Sequence, residues 1–194
     1  MDIVFINPSN ASNLYQGLAD KLVAIEPPTW ALLLAQSVRS QGFSTAIIDA
    51  NAERLTDEGI LKKLLELKPR LICMVVYGQN VNAGTAGMAG ATRTSKFIKD
   101  GFPKSIISYI GSYIQALPKK ALEDEPSIDF GFTNEGVYAL QNLLRSNFKD
   151  NLANINGIGY KSSTGLHLTS PEIPVPQEKM DVDLPGYALS LIHI

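Results

Sequence analysis

The sequence predicts an α/β fold, a doubly wound parallel sheet with helices on both faces. Two observations carry that expectation. Short β-like apolar runs alternate with longer stretches whose apolar residues recur at helical spacing, a pattern that implies right-handed crossovers between parallel strands. The most apolar run, residues 70–77 (RLICMVVY), belongs in the middle of a sheet covered on both faces.

The elements follow in order. Residues 2–7 (DIVFIN) read as a buried strand that stops at Asn7-Pro8. Residues 29–41 carry Trp30, Leu33, Leu34 and Val38 at helical spacing and end at Gly42, a good residue just past a helix. Residues 44–49 (STAIID) are the second strand. Thr56 caps the next helix, with Asp57 and Glu58 in its first turn and Ile60, Leu61, Leu64 and Leu65 on its buried face. Pro69 follows its end, as befits a helix stop. After the central strand, a glycine-rich segment at 78–90 leads into a helix ending near Lys99, before Asp100-Gly101. Residues 105–110 and 129–133 are the fourth and fifth strands, with a short helix at 117–123 between them and a last helix at 137–147. Beyond about Asp150 the pattern changes. Residues 157–161 and 165–169 flank Ser162-Ser163-Thr164 as a small hairpin. Pro171, Pro174, Pro176 and Pro185 then break up an extended polar stretch of the kind that joins domains.

Composition narrows the function classes. With 194 residues, 45% hydrophobic and 19% charged, and a net charge of −2, the chain suits one large domain. There is no basic excess to neutralise phosphates, so nucleic acid is not the expected partner. No apolar run approaches the roughly 20 residues of a membrane span. The N-terminus has neither the basic start nor the apolar stretch of a signal peptide, so a cytoplasmic chain is expected. The single cysteine, Cys73, excludes a disulfide framework and any metal site built from several thiolates of this chain.

In open α/β sheets ligands bind beyond the carboxyl ends of the strands. The turns there begin at Asn7, Asp49, Gly78, Gly111 and Asn134. Each taken singly is only a polar turn. Together they say more: Gly78, Gly111 and Gly136 end three successive strands and leave room for a bulky ligand against the backbone. Gln79, Asn80, Thr85, Ser112 and Tyr113 offer amides and hydroxyls to a polar, mostly uncharged ligand. No lysine or arginine sits in these turns, although backbone N–H groups at a helix start could still hold a phosphodiester.

Other readings fail on the same turns. A nicotinamide-type fold needs G-x-G-x-x-G after the first strand, where this chain has Asn7-Pro8-Ser9-Asn10-Ala11-Ser12. Gly84, Gly87 and Gly90 are spaced G-x-x-G-x-x-G and follow the third strand instead. A P-loop is absent, and the third strand ends in Val76-Tyr77-Gly78 without a phosphoacceptor aspartate. Asp49 could hold a ribose or cap a turn, and Glu135 could contact ligand or cap the helix after it. His167 on the hairpin and His193 in the last residues form no triad. Cys73, inside the most buried strand, reads as a small hydrophobe. The residues describe a binding domain for a large polar cofactor, with no visible catalytic machinery.

At these residues the sequence resembles the N-terminal cobalamin-binding domain of cobalamin-dependent radical S-adenosylmethionine (SAM) enzymes, from residue 2 to about 188. The markers begin with Phe5-Ile6-Asn7-Pro8, Glu26-Pro27-Pro28 with Trp30-Ala31-Leu32-Leu33-Leu34-Ala35, and Gln41-Gly42-Phe43 before Asp49-Ala50. Val76-Tyr77-Gly78-Gln79-Asn80, Gly111-Ser112-Tyr113 with Ala116-Leu117-Pro118, and Asp129-Phe130 leading to Asn134-Glu135-Gly136 come next. Gly157-Ile158-Gly159-Tyr160 and Asp183-Leu184-Pro185 close the series. No single marker is specific; their order and spacing are.

The resemblance implies a flavodoxin-like five-stranded parallel sheet of order 2-1-3-4-5, with a small C-terminal hairpin and an extended linker. The nucleotide tail of cobalamin would cross its carboxyl edge, lined by Asn7, Gln79, Asn80, Thr85, Gly111, Ser112, Tyr113, Glu135 and Gly136. Two departures narrow the groove: Gly111-Ser112 stands where many relatives have Gly-Gly, and Asn134 where many have Gly. The D-x-H-x-x-G of other cobalamin domains is absent after the first strand, so cobalamin would be held without histidine as its lower ligand.

The family's C-x-x-x-C-x-x-C motif, which carries a 4Fe-4S cluster and S-adenosylmethionine, belongs to a following radical SAM barrel and is not in this chain. The expected division is a cobalamin-binding domain at 1–150, a hairpin and proline-rich linker at 151–188 towards that barrel, and a foreign tail at 189–194. Leu189-Ser190-Leu191-Ile192-His193-Ile194 resembles the translation of a sequencing-adapter end, CTGTCTCTTATACACATC. The chain is therefore expected to be a fragment that catalyses nothing itself, its parent a methyltransferase or a ring-rearranging enzyme. Two other readings stay open: a stand-alone flavodoxin-like nucleotide- or flavin-binding protein, and a scaffold that has lost its ligand and serves as an interaction domain.

Overall fold

The computed structural model describes residues 1–8, 27–77 and 81–184, with backbone alone for 81–86. Five strands run parallel: β1 (Ile3–Asn7), β2 (Thr45–Asp49), β3 (Leu71–Val76), β4 (Ile107–Gly111) and β5 (Phe130–Phe132). Strands β6 (Ile158–Ser162) and β7 (Gly165–Leu168) form the expected hairpin. It is not a separate appendage. Antiparallel pairing of β6 with β5 makes one seven-stranded sheet of order β2-β1-β3-β4-β5-β6-β7, which contains the expected 2-1-3-4-5.

Alternation along the strands feeds two cores. Ile3, Phe5, Leu71, Cys73 and Val75 face one layer, packed under α1 (Thr29–Ser40) and α6 (Val137–Arg145). Val4, Ile6, Ile72, Met74 and Val76 face the other, under α2 (Asp57–Leu67), α3 (Val81–Gly101), α4 (Ser112–Ala116) and α5 (Pro118–Asp124). All six residues of β3 are buried, as a central strand covered on both faces requires.

Local signals set the helix ends. Thr56 accepts a hydrogen bond from the Gly59 N–H at 3.3 Å and caps α2, while Lys68 closes it with φ +47°. Asp57, in that first turn, accepts from Arg93 Nε (2.8 Å) and Thr94 Oγ1 (2.7 Å), tying α2 to α3. The glycine-rich segment is not a loop throughout: α3 begins at Val81, so Gly84, Gly87 and Gly90 are helical. A Cβ on Gly87 would sit 3.4 Å from Val76 Cγ1, so the small residue lets α3 lie close against β3.

The stretch after β7 is docked rather than loose. Residues 169–184 form a strap that passes the β5–α6 turn, makes a short 3₁₀ turn (Gln177–Lys179) and ends in α7 (Met180–Asp183). Ser37 donates to the Asp183 carbonyl at 2.6 Å, Tyr138 to the Asp183 carboxylate at 2.6 Å, and Gln141 to Ser37 Oγ at 3.0 Å. Leu184 is buried in the α1/α6 core. The expected tail at 189–194 lies outside the described residues.

The start of the chain carries an acid-sensitive tie. Asp2 accepts hydrogen bonds from Ser44 Oγ (2.6 Å) and Arg70 Nη1 (2.8 Å), which with the Ser44 amide lower its pKa from 3.8 to about 2. A depressed carboxylate contributes stability that is full above its ordinary pKa and is lost as pH falls through the folded value. Unfolding midpoints in urea should therefore drop between pH 4 and pH 2, and Asp2→Asn should flatten that limb by about 1 kcal/mol, screening included.

Candidate functional site at the carboxyl edge of the sheet

Parallel pairing brings the ends of β1, β2, β3, β4 and β5 to one edge, with Asn7 opposite Asp49 and Val76 opposite Gly111. Strand order reverses between β1 and β3, so the crevice of an open α/β sheet lies beyond Asn7 and Tyr77. Asn7 is already oriented: its Nδ2 donates to Asp49 Oδ1 at 3.0 Å. The same oxygen accepts the amides of Asn51 and Ala52, so Asp49 acts as the cap of its turn.

Tyr77 and Trp30 were not among the expected site residues; Tyr77 follows the carboxyl end of β3, and both rings are partly buried against the α1/α6 core. Their rings stack with centroids 4.9 Å apart and planes at 25°. Gln115, from α4, donates its Nε2 to the Tyr77 hydroxyl and to the Asn134 carbonyl (2.6 Å). Burial pushes the Tyr77 phenol up to about 12, so it stays protonated and neutral. The sequence signal was Tyr77 itself, a polar-tipped ring closing the most apolar strand, and Trp30 at the start of the first helix.

Of the expected residues, Asn7, Gly111, Ser112, Tyr113, Glu135 and Gly136 lie on this edge. Ser112 and Tyr113 open α4 and are half-buried. Gln79 and Asn80 lie outside the described residues, and Thr85 falls in the opening turns of α3.

The glycines have reasons inside the chain. Gly111 has φ +153°, and a Cβ there would meet the Val76 carbonyl oxygen at 2.1 Å. Gly136 has φ +77°, and its Cβ would meet Ile110 Cδ1 at 2.5 Å. Both are demanded by the fold, whatever ligand approaches. Glu135 is likewise employed by the chain: its Oε1 accepts the Val175 amide of the strap. Asn134 Oδ1 accepts the Gly136 amide (2.9 Å), and its Nδ2 donates to the Glu172 carbonyl (3.2 Å). Asn134 thus holds a turn and a strap together.

Two other groups stand away from the site. Register puts His167 opposite Tyr160 and Tyr160 opposite Phe130, at the amino end of β5. Its Nε2 bonds Ser162 and Thr164, and its ring stacks on Tyr160 at 5.2 Å. Cys73 is fully buried, with its thiol pushed up to about 12 by desolvation, the state of an inert hydrophobe rather than a nucleophile.

The fold has known counterparts. It superposes on the cobalamin-dependent S-adenosylmethionine radical enzyme OxsB with aqua-cobalamin bound (TM-score 0.71, 20% identity), covering 98% of this chain and 24% of that one. It also superposes on the radical S-adenosylmethionine methyltransferase TsrM from Kitasatospora setae with cobalamin and a [4Fe-4S] cluster bound (TM-score 0.67, 15% identity), covering 91% of this chain and 30% of that one. The chain therefore spans 24–30% of the length of these enzymes, and at such identities the likeness is one of fold. No protein-family model and no curated protein matches the sequence.

Proposed function

We propose that this chain is a cobalamin-binding module, the N-terminal part of a larger cobalamin-dependent radical SAM enzyme, and that it carries no catalytic centre of its own. The observation that supports it is the near-complete overlap of the chain with one segment of two cobalamin-bound enzymes. The donor set at the carboxyl edge fits the same ligand. Asn7, Tyr77, Ser112, Tyr113 and Gln115 are neutral amides and hydroxyls, suited to the amide-fringed corrin and its nucleotide tail. Gln79, Asn80, Thr85, Gly111, Glu135 and Gly136 complete the proposed lining.

Bound cobalamin would supply a cobalt centre able to carry a methyl group, and S-adenosylmethionine and a 4Fe-4S cluster would belong to the rest of the enzyme. What this chain does is hold and orient. The Trp30–Tyr77 stack gives an apolar wall, and the protonated Tyr77 keeps charge out of the groove. Cobalamin would be held without histidine as its lower ligand; among the described residues the one histidine, His167, lies at the amino end of β5, away from the site. The parent enzyme would be a cytoplasmic methyltransferase or ring-rearranging enzyme. Among the described residues no helix is long and apolar enough to cross a membrane.

Purified protein mixed with hydroxocobalamin and desalted should retain corrin absorbance at about one equivalent and quench the emission of Trp30, the single tryptophan. Folded protein that retains no corrin overturns the reading, and flavin or nucleotide co-purifying with it favours the stand-alone alternative. Ser112→Phe should reduce retention by about tenfold or more while leaving the unfolding midpoint close to wild type, because it fills the groove from a half-buried position.

A further inference from the structure

The β5–α6 turn faces two ways. On one side, Gln115 Nε2 donates to the Tyr77 hydroxyl and to the Asn134 carbonyl, linking the wall of the candidate site to the turn. On the other, the side chains of the same turn grip the strap: Asn134 Nδ2 donates to the Glu172 carbonyl, and Glu135 Oε1 accepts the Val175 amide. A continuous series of contacts therefore runs from Trp30 through Tyr77, Gln115 and Asn134 to the strap. Among the described residues, Gln115 bridges the residue after β3 to the turn after β5.

We propose that Gln115 is a positioning residue that couples the carboxyl-edge site to the strap, so that a ligand seated against Tyr77 tightens the docking of residues 172–175. The identity of that ligand rests on the cobalamin reading; the tie itself does not. The physical basis is linkage. A ligand that fixes the Tyr77 ring fixes the hydroxyl that Gln115 needs, and Gln115 in turn fixes the Asn134 carbonyl and with it the turn. By reciprocity, docking of the strap favours the site geometry that holds the ligand. The strap leads directly to the C-terminal residues of the chain. A ligand-dependent strap would thus carry the state of the site as far as Leu184 and the core beneath α1 and α6.

Val175 provides the readout. Pro174 and Pro176 flank it and carry no amide hydrogen, so its amide is an isolated probe of the Glu135 contact. Hydrogen exchange of the Val175 amide should accelerate by about fivefold or more in Gln115→Met, with amides of β3 unchanged. Tyr77→Phe keeps the ring against Trp30 but removes the hydroxyl, and should accelerate Val175 by about twofold or more. Exchange at wild-type rates in both variants overturns the proposal. Saturating hydroxocobalamin should slow Val175 exchange in the wild type by about threefold and leave the rate in Gln115→Met unaltered. Corrin retained with no change at Val175 in the wild type also overturns it. If no corrin is retained, the cobalamin reading fails, and the two ligand-free variants still decide the role of Gln115.

Discussion

Replacing Gly111 with alanine should cost the protein more than about 4 kcal/mol, a large part of the roughly 5–15 kcal/mol that holds a domain of this kind folded. The reason is local and severe. Gly111 ends β4 with φ +153°, and the new Cβ would lie 2.1 Å from the Val76 carbonyl oxygen and 2.6 Å from its carbonyl carbon. Those atoms are backbone in the centre of the sheet, where β3 pairs with β4, so no side-chain rotation relieves the overlap. Urea unfolding followed by far-ultraviolet circular dichroism should show a collapse of the midpoint. A loss below about 1 kcal/mol would refute the backbone geometry at the β4–α4 junction. It follows that loss of corrin in a Gly111 variant reports unfolding, and that Ser112 next to it is the better probe of the groove.

Leu184→Ala should destabilise the protein by about 2–3 kcal/mol, a cost that a free tether would not incur. Leu184 is 7% exposed and packs in the core beneath α1 and α6, whereas Ile173, on the same strap, is 62% exposed. Ile173→Ala should accordingly change stability by less than about 0.5 kcal/mol. Paired unfolding curves of the two variants settle whether the strap belongs to the folded unit. Equal midpoints for the two would mean that it does not.

The fold was legible because period and punctuation agree. Residues 71–76 are uninterrupted apolar and became the central strand; Thr56 and Pro69 bracketed α2; the glycine at 42 closed α1. What stayed hidden was tertiary. Prolines at 171, 174 and 176 forbid regular structure, and so suggested a linker, but they say nothing about docking. The docking depends on Ser37, Tyr138 and Gln141, polar residues of two helices whose meeting with Asp183 no local pattern encodes. Likewise the start of α3 was obscured by Gly84, Gly87 and Gly90, poor helix formers, of which Gly87 lets α3 lie close against Val76 of β3.

The candidate site was half legible. Placing it beyond the strand ends followed from topology, and Asn7, Gly111, Ser112 and Tyr113 do gather there. Gly111 and Gly136 also have reasons inside the chain: both have positive φ, and a Cβ would meet the Val76 backbone at the first and the Ile110 side chain at the second. Trp30 and Tyr77 escaped because aromatic rings at the edges of apolar runs read as core. Their stack, and the amide bridge from Gln115 to Tyr77, tie them to the turn after β5.

The contact between Ser37 and Asp183 joins residues 146 positions apart in the chain. During synthesis, the helix bearing Ser37 emerges long before the strap that covers it. At ~5–20 residues per second the gap is roughly 7–30 s, far longer than collapse of a small domain takes. For that interval the face of α1 that Leu184 covers stays open, and once α6 has formed the cleft between α1 and α6 still waits for the strap. A nascent chain of this protein is thus a waiting structure, with greasy surface available to chaperones or to neighbouring polypeptides until residues 169–184 arrive.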